Sequence, residues 1–163
     1  MKIIEGFAYL LGDDINTDDI VPSHTLTMRN SDEMAKHTLE FIDPDFVKKT
    51  NKLNIIIAGD NFGTGSSREE AVNVFKVLGI KAIIAKSFAR IYFRNLINNG
   101  IPPIAVDWSN MSFKKGDSIK IDLNHGIIEN QTQKFTLEFS KFPLFIREIL
   151  KEGGIISKLK KIL

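Results

Sequence analysis

The chain contains no cysteine. That excludes disulfides, a thiol nucleophile, and thiolate ligation of zinc or an iron–sulfur cluster by this chain. An excess of one charge is also missing. The 22 basic and 20 acidic side chains leave a formal charge of +2, which is no footprint for a nucleic-acid binder. One tryptophan and two tyrosines supply few stacking platforms for single-stranded nucleic acid. No apolar run approaches bilayer length. The opening Met1–Asp14 turns acidic too early for a signal peptide. The expectation is a cytoplasmic protein without membrane or nucleic-acid partners. Histidine is sparse as well. His24, His37 and His125 are scattered along the chain and are not expected to form a metal site.

What is present describes a folded protein. Hydrophobic residues make up 43% and charged residues 26% of 163 positions, enough to bury a core without covalent staples. No repeat, low-complexity tract or flexible linker interrupts residues 1–163, so one α/β domain is expected.

Lys2–Leu11 reads as a strand. Gly12–Pro22 is rich in aspartate, shows no helical period, and reads as an ordered loop because Ile15, Ile20 and Val21 require burial. A short helix is expected from Ser31, with a second helical piece after Pro44. From Leu53 the pattern sharpens. Asn54–Ala58 and Lys81–Ala85 are short apolar runs typical of buried strands. Between them lie a glycine-rich loop, Gly59–Gly65, and a helix opening at Ser66, whose Ala71, Val74, Phe75 and Leu78 share one face. Gly79 is its expected stop. Phe88–Asn98 reads as a helix ended by Asn99-Gly100, and Ile104–Val106 as a strand. This β–loop–α–β–α–β order predicts a small parallel sheet with right-handed crossovers. Farther on, Ser118–Leu123, Gly126–Asn130 and Lys134–Phe139 read as a meander. Phe142–Leu150 and Ile155–Leu163 read as helices separated by Gly153-Gly154.

The strongest chemical signal is Asp60-Asn-Phe-Gly-Thr-Gly-Ser-Ser-Arg-Glu69. Glycines at a strand end allow close backbone approach, a helix start offers unpaired N–H groups to an anion, and Arg68 can grip a carboxylate in bidentate fashion. The segment is not a P-loop, because no Gly-Lys-Ser/Thr follows the glycines. It is not a dinucleotide fingerprint, because the third glycine is missing. A plainer reading is that Ser66 or Ser67 caps the helix, boxed with Glu69 or Glu70.

Gly63-Thr-Gly-Ser-Ser-Arg-Glu69 resembles the serine loop of the aconitase superfamily. Lys86-Ser-Phe-Ala-Arg-Ile91, followed by Arg94-Asn95, resembles its second signature, and Asn16-Thr-Asp-Asp-Ile-Val-Pro22 its Thr-Asp loop. The motifs stand in family order, and the length fits the family's compact stand-alone small subunits. The resemblance implies an α/β fold, the swivelling β/β/α domain of the aconitase C-terminal domain. It implies a hydro-lyase that isomerises a 2-substituted malate and is active only with a large subunit. That partner would carry the [4Fe–4S] cluster, with no cofactor or metal on this chain. An isolated chain is allowed to self-associate.

By the same resemblance, Ser66 is the base that takes a proton from the substrate carbon, and Asp18 matches a catalytic aspartate at the active site. Ser67 and Arg68 bind a carboxylate of the small dicarboxylate substrate or orient the base. Thr25-Leu-Thr-Met28 departs from the related Tyr-Leu-x-Thr/Met pattern. Leu26 and Thr27 are the implied substrate readers, and a small neutral Thr27 favours an alkyl arm, as in isopropylmalate, over a third carboxylate. Methylmalate or citraconate, dimethylmalate and homocitrate or homoaconitate are the neighbouring alternatives. A non-enzymatic carboxylate-binding module is the alternative of a different class. Arg29 is expected to be solvated, His24 to lie in the loop near the site, and Arg90 and Arg94 to serve packing and salt bridges.

Overall fold

A computed structural model describes residues 3–163. Lys2, the expected first residue of the opening strand, lies outside them. Strand β1 (Ile3–Leu10) leads into a helical turn, α1 (Thr17–Ile20), a 3₁₀ turn (Ser23–Thr25), and the short helices α2 (Ser31–Ala35) and α3 (Phe46–Lys49). Then follow β2 (Ile55–Ala58), α4 (Glu70–Val77), β3 (Ala82–Ala85), α5 (Arg90–Asn98) and β4 (Pro103–Ala105). The meander β5 (Ser118–Asp122), β6 (Ile127–Asn130) and β7 (Phe135–Glu138) precedes α6 (Leu144–Lys151) and α7 (Ile155–Ile162). No helix of the described residues is long and apolar enough to cross a membrane.

Among the described residues seven strands form one sheet in the order β4-β3-β2-β1-β5-β6-β7. The four strands β1 to β4 are parallel, as the alternation of strands and helices requires. The first half of β1 instead pairs antiparallel with β5, Ile4 facing Ile121, while its second half pairs with β2, Tyr9 facing Ile56. One strand thus joins the parallel half to the meander.

Both faces of the parallel half are covered, which is why β2 and β3 read as unbroken apolar runs. Ile56, Ala58, Ile83 and Ala85 face a core with Ile20, Phe46, Phe62, Phe75 and Leu96. Ile55, Ile57 and Ile84 face the other core, with Ile104, Ile119, Ile121 and Ile128. Helix stops fall where glycine was expected. After α4, the Gly79 N–H bonds to Lys76 O and the Ile80 N–H to Phe75 O at 3.0 Å, with Gly79 at φ +76°. This is a Schellman closure, and Gly100 ends α5 in the same way.

Two expectations are corrected. The Asp-rich loop does contain a helical turn. Asn16 caps it by accepting from the Asp19 N–H at 2.8 Å, while the Asp19 carboxylate accepts from the Asn16 N–H at 3.0 Å. A reciprocal capping box stabilises this turn locally and fixes the backbone of Asp18. The serine-loop helix opens at Glu70 rather than Ser66, and its N-terminus has no side-chain cap. The capping-box reading of Ser66 and Ser67 therefore fails.

Candidate active site

Parallel strands deliver their C-terminal ends to one sheet edge, where α/β proteins bind ligands. Here the loops after β1, β2 and β3 meet at that edge and are joined through their backbones. The Asp14 N–H bonds to Asp60 O at 2.8 Å, the Gly63 N–H to Ile15 O at 2.7 Å, and the Thr17 N–H to Thr64 O at 2.8 Å. The Thr17 hydroxyl donates to Ser66 O at 2.8 Å. The third loop is joined by the Phe62 N–H to Ser87 O and the Ala89 N–H to Phe62 O, at 3.0 and 2.9 Å. The glycines have a steric reason. Gly63 has φ +87°, and a Cβ there would stand 2.2 Å from Cγ of the buried Tyr92. That tyrosine donates to Ala71 O at 2.7 Å, and burial raises its pKa well above the ordinary value.

The loops enclose a cavity of about 230 Å³ lined by Thr17, Gly65, Ser66, Ser67, Arg68 and Arg90, among others. Ser66 and Ser67 are exposed. Among the described residues, no intrachain hydrogen bond uses their hydroxyls or the backbone N–H groups of Ser66, Ser67 and Arg68. The segment that lines the cavity therefore carries unpaired donors, which an anion site requires. Arg68 is held from the first loop. Its Nη1 lies 2.5 Å from Asp18 Oδ1 and donates to Val21 O at 3.4 Å. Both contacts fall on one nitrogen, so the remaining N–H groups of the fork stay available for a carboxylate.

The geometry brings four expected site residues together: Ser66, Ser67 and Arg68 at the cavity and Asp18 against Arg68. Leu26 and Thr27 do not line the cavity. Both are exposed after the 3₁₀ turn, and the nearby Thr25 is buried, donating to Pro22 O at 2.7 Å. Arg29 is solvated as expected. Arg90 and Arg94 depart from expectation, being exposed and without an ion pair among the described residues. Arg90 opens α5 and lines the cavity. Its signal was legible: an arginine just past the end of a parallel strand, at the edge where ligands bind. Thr17 also lines the cavity, carried there by a helical turn for which the aspartate-rich sequence shows no period.

His125 sits in a turn as expected, paired with Asp122, whereas His24 and His37, apart in sequence, both reach Glu40, at 2.5 and 2.8 Å.

Residues 13–108 match the family model described as the aconitase C-terminal domain. The 3-isopropylmalate dehydratase small subunit 1 of Thermotoga maritima is 46% identical over 160 residues, covering 98% of this chain and 96% of that protein. The small subunit 2 of Archaeoglobus fulgidus is 44% identical over 162 residues, covering 99% and 96% respectively. The crystal structure of 3-isopropylmalate dehydratase from Methanocaldococcus jannaschii superposes with a TM-score of 0.90 at 43% identity, covering 99% of this chain and 95% of that one. The α/β architecture expected from the three motifs is thus the one observed, and the chain belongs to the aconitase C-terminal domain family, among the 3-isopropylmalate dehydratase small subunits.

Proposed function

We propose that this chain is the small subunit of a 3-isopropylmalate dehydratase, a hydro-lyase of leucine biosynthesis. It interconverts 2- and 3-isopropylmalate by removing and re-adding water. One observation carries the reading. Three loops converge on a cavity that presents Ser66, Ser67 and Arg68 together, in a chain whose relatives bear that name over nearly their full length. Those names favour the isopropyl substrate over methylmalate, dimethylmalate or homocitrate.

In this reading the ionised Ser66 takes the proton from the substrate carbon, the C–H electron pair forms the double bond, and the hydroxyl of the adjacent carbon is expelled toward the large subunit, whose cluster would supply the Lewis acid to receive it. Rehydration reverses the step with the two positions exchanged. A serine hydroxyl is a weak base, so its charged form needs preorganised positive charge. The free N–H groups at positions 66–68 and the Arg68 guanidinium are suited to supply it. Asp18 holds Arg68 in place, and the free edge of the fork grips a substrate carboxylate, with Ser67 adding a donor. Arg90 adds positive charge at the same cavity. Leu26 and Thr27 read the alkyl arm once the site is closed by the partner. A single small domain can be confined in this way to one half of the reaction.

The family's iron–sulfur cluster does not fit this chain, which has no thiolate to hold it. The cluster is assigned to the large subunit, and the relatives' designation as small subunits implies such a partner. The test is reconstitution. The purified chain should be inactive alone and should generate isopropylmalate dehydration when mixed with a cluster-loaded large subunit. Turnover by the lone chain, or a mixture that stays inert, would overturn the proposal.

A further inference from the structure

We propose that His24, His37 and Glu40 form a binding site for a borderline divalent transition-metal ion of the Zn²⁺ class. The site stands apart from the hydro-lyase reading, because none of the three residues lines the serine-loop cavity. His24 Nε2 meets one oxygen of the Glu40 carboxylate and His37 Nδ1 meets the other, at 2.5 and 2.8 Å. The three ligand atoms lie within 4.8 Å of one another. Ions of this class bind imidazole nitrogen and carboxylate oxygen at about 2.0–2.2 Å, so one ion can reach all three after small side-chain shifts. The two imidazoles stand edge to face, with centroids 5.3 Å apart, and their nitrogens converge on the carboxylate.

The backbones that present these ligands are fixed by buried neighbours. Thr25, beside His24, is fully buried and bonded to Pro22 O. Thr38 and Leu39, between His37 and Glu40, are likewise buried, and the Leu39 N–H bonds to Ile20 O at 3.2 Å. The side chains themselves stay accessible, leaving room for water at the remaining coordination positions. Two imidazoles and one carboxylate select Zn²⁺, Co²⁺ or Ni²⁺ over Mg²⁺ and Ca²⁺, which prefer all-oxygen shells. Binding requires each ligating nitrogen to present its lone pair, so the protons now facing Glu40 move to the other ring nitrogen or leave. The bound ion would join the 3₁₀ turn to the segment after α2, closing the loop that holds Leu26–Asn30.

The test uses the full chain, stripped with a chelator and titrated calorimetrically with ZnCl₂, with Co²⁺ absorption as an optical readout. One Zn²⁺ per chain is expected, with no comparable binding of Mg²⁺ or Ca²⁺. Loss of an outer partner of a metal ligand costs about 10–100-fold in affinity. Loss of a ligand in His24→Ala or His37→Ala should therefore cost at least about 100-fold. Glu40→Gln, nearly isosteric, should also weaken binding while keeping the metal-free fold, checked by circular dichroism. His125→Ala should bind like the parent. Zn²⁺ should raise the Tm of the parent and not of His24→Ala. Absence of a one-to-one Zn²⁺ site, or unchanged binding in both His24→Ala and Glu40→Gln, would overturn the proposal and leave the trio as a hydrogen-bonded pair of histidines on one carboxylate.

Discussion

Replacing Arg68 by lysine separates its structural role from its substrate role. In the folded chain the Arg68 side chain is 20% exposed and that of its partner Asp18 is 63% exposed. An ion pair so open to water contributes about 0.2–1 kcal/mol. The 3.4 Å bond to Val21 O is long and adds little. Urea unfolding of Arg68→Lys and of Asp18→Asn should therefore show losses of at most about 1 kcal/mol each. A double-mutant cycle should give a coupling of similar size. The catalytic loss should be larger. Lysine is a point charge and cannot keep Asp18 on one nitrogen while offering two parallel N–H groups to a carboxylate. A lost charge-assisted bond is worth about 1.5–3 kcal/mol, or roughly 10- to 150-fold in kcat/KM. Most of it should appear in KM, with Asp18→Asn showing a smaller loss of the same kind. The assay is steady-state dehydration by the chain reconstituted with its large subunit. Unchanged KM in Arg68→Lys, accompanied by a stability loss above about 2 kcal/mol, would make Arg68 a scaffold residue and not a substrate ligand.

Other outcomes follow from the same geometry. Gly63→Ala should destabilise by about 2–5 kcal/mol in urea unfolding, combining the left-handed backbone cost with a clash on Tyr92. Thr27→Arg should shift preference from isopropylmalate toward homoaconitate in a competition assay, because a neutral side chain leaves a third carboxylate unpaired; unchanged preference would remove Thr27 from the substrate pocket. Burial pushes the Asp43 carboxyl up, but hydrogen bonds from Lys49 and Tyr9 outweigh it and hold the pKa at about 2, below the ordinary 3.8. The stabilisation from Asp43 should therefore be complete above about pH 4 and disappear as pH falls toward 2, and acid titration of Asp43→Asn should lack that component.

The sequence made the parallel half legible because its physics is local. Ile55–Ala58 and Ala82–Ala85 are apolar throughout since both faces are buried, and Gly79 and Gly100 mark helix ends that need positive φ. The serine loop was legible for a similar reason, since its glycines permit a close approach that no other residue allows. The boundary at Glu70 was not. Ser66 and Ser67 satisfy a capping pattern, but the Thr17 hydroxyl and the backbone bond to Thr64 hold the loop extended past them. Tertiary bonds thus override a local propensity. The convergence of His24, His37 and Glu40 was likewise invisible, because it depends on how two short turns pack beside the buried Thr25 and Leu39. Arg90 is legible only through its place past a parallel strand, because the pattern of a helix does not say which of its sides faces a cavity.

The proposed mechanism makes Ser66 the base and not a helix cap. The direct measurement is Ser66→Ala in the reconstituted enzyme, with kcat, KM and Tm read on the same preparation. The expected result is a kcat lower by roughly 10²–10⁴-fold, KM within a few-fold, and stability within about 0.5 kcal/mol of the parent, as for an exposed side chain without a hydrogen-bond partner among the described residues. Near-full activity with a stability loss of about 1 kcal/mol, the signature of a lost cap, would contradict it.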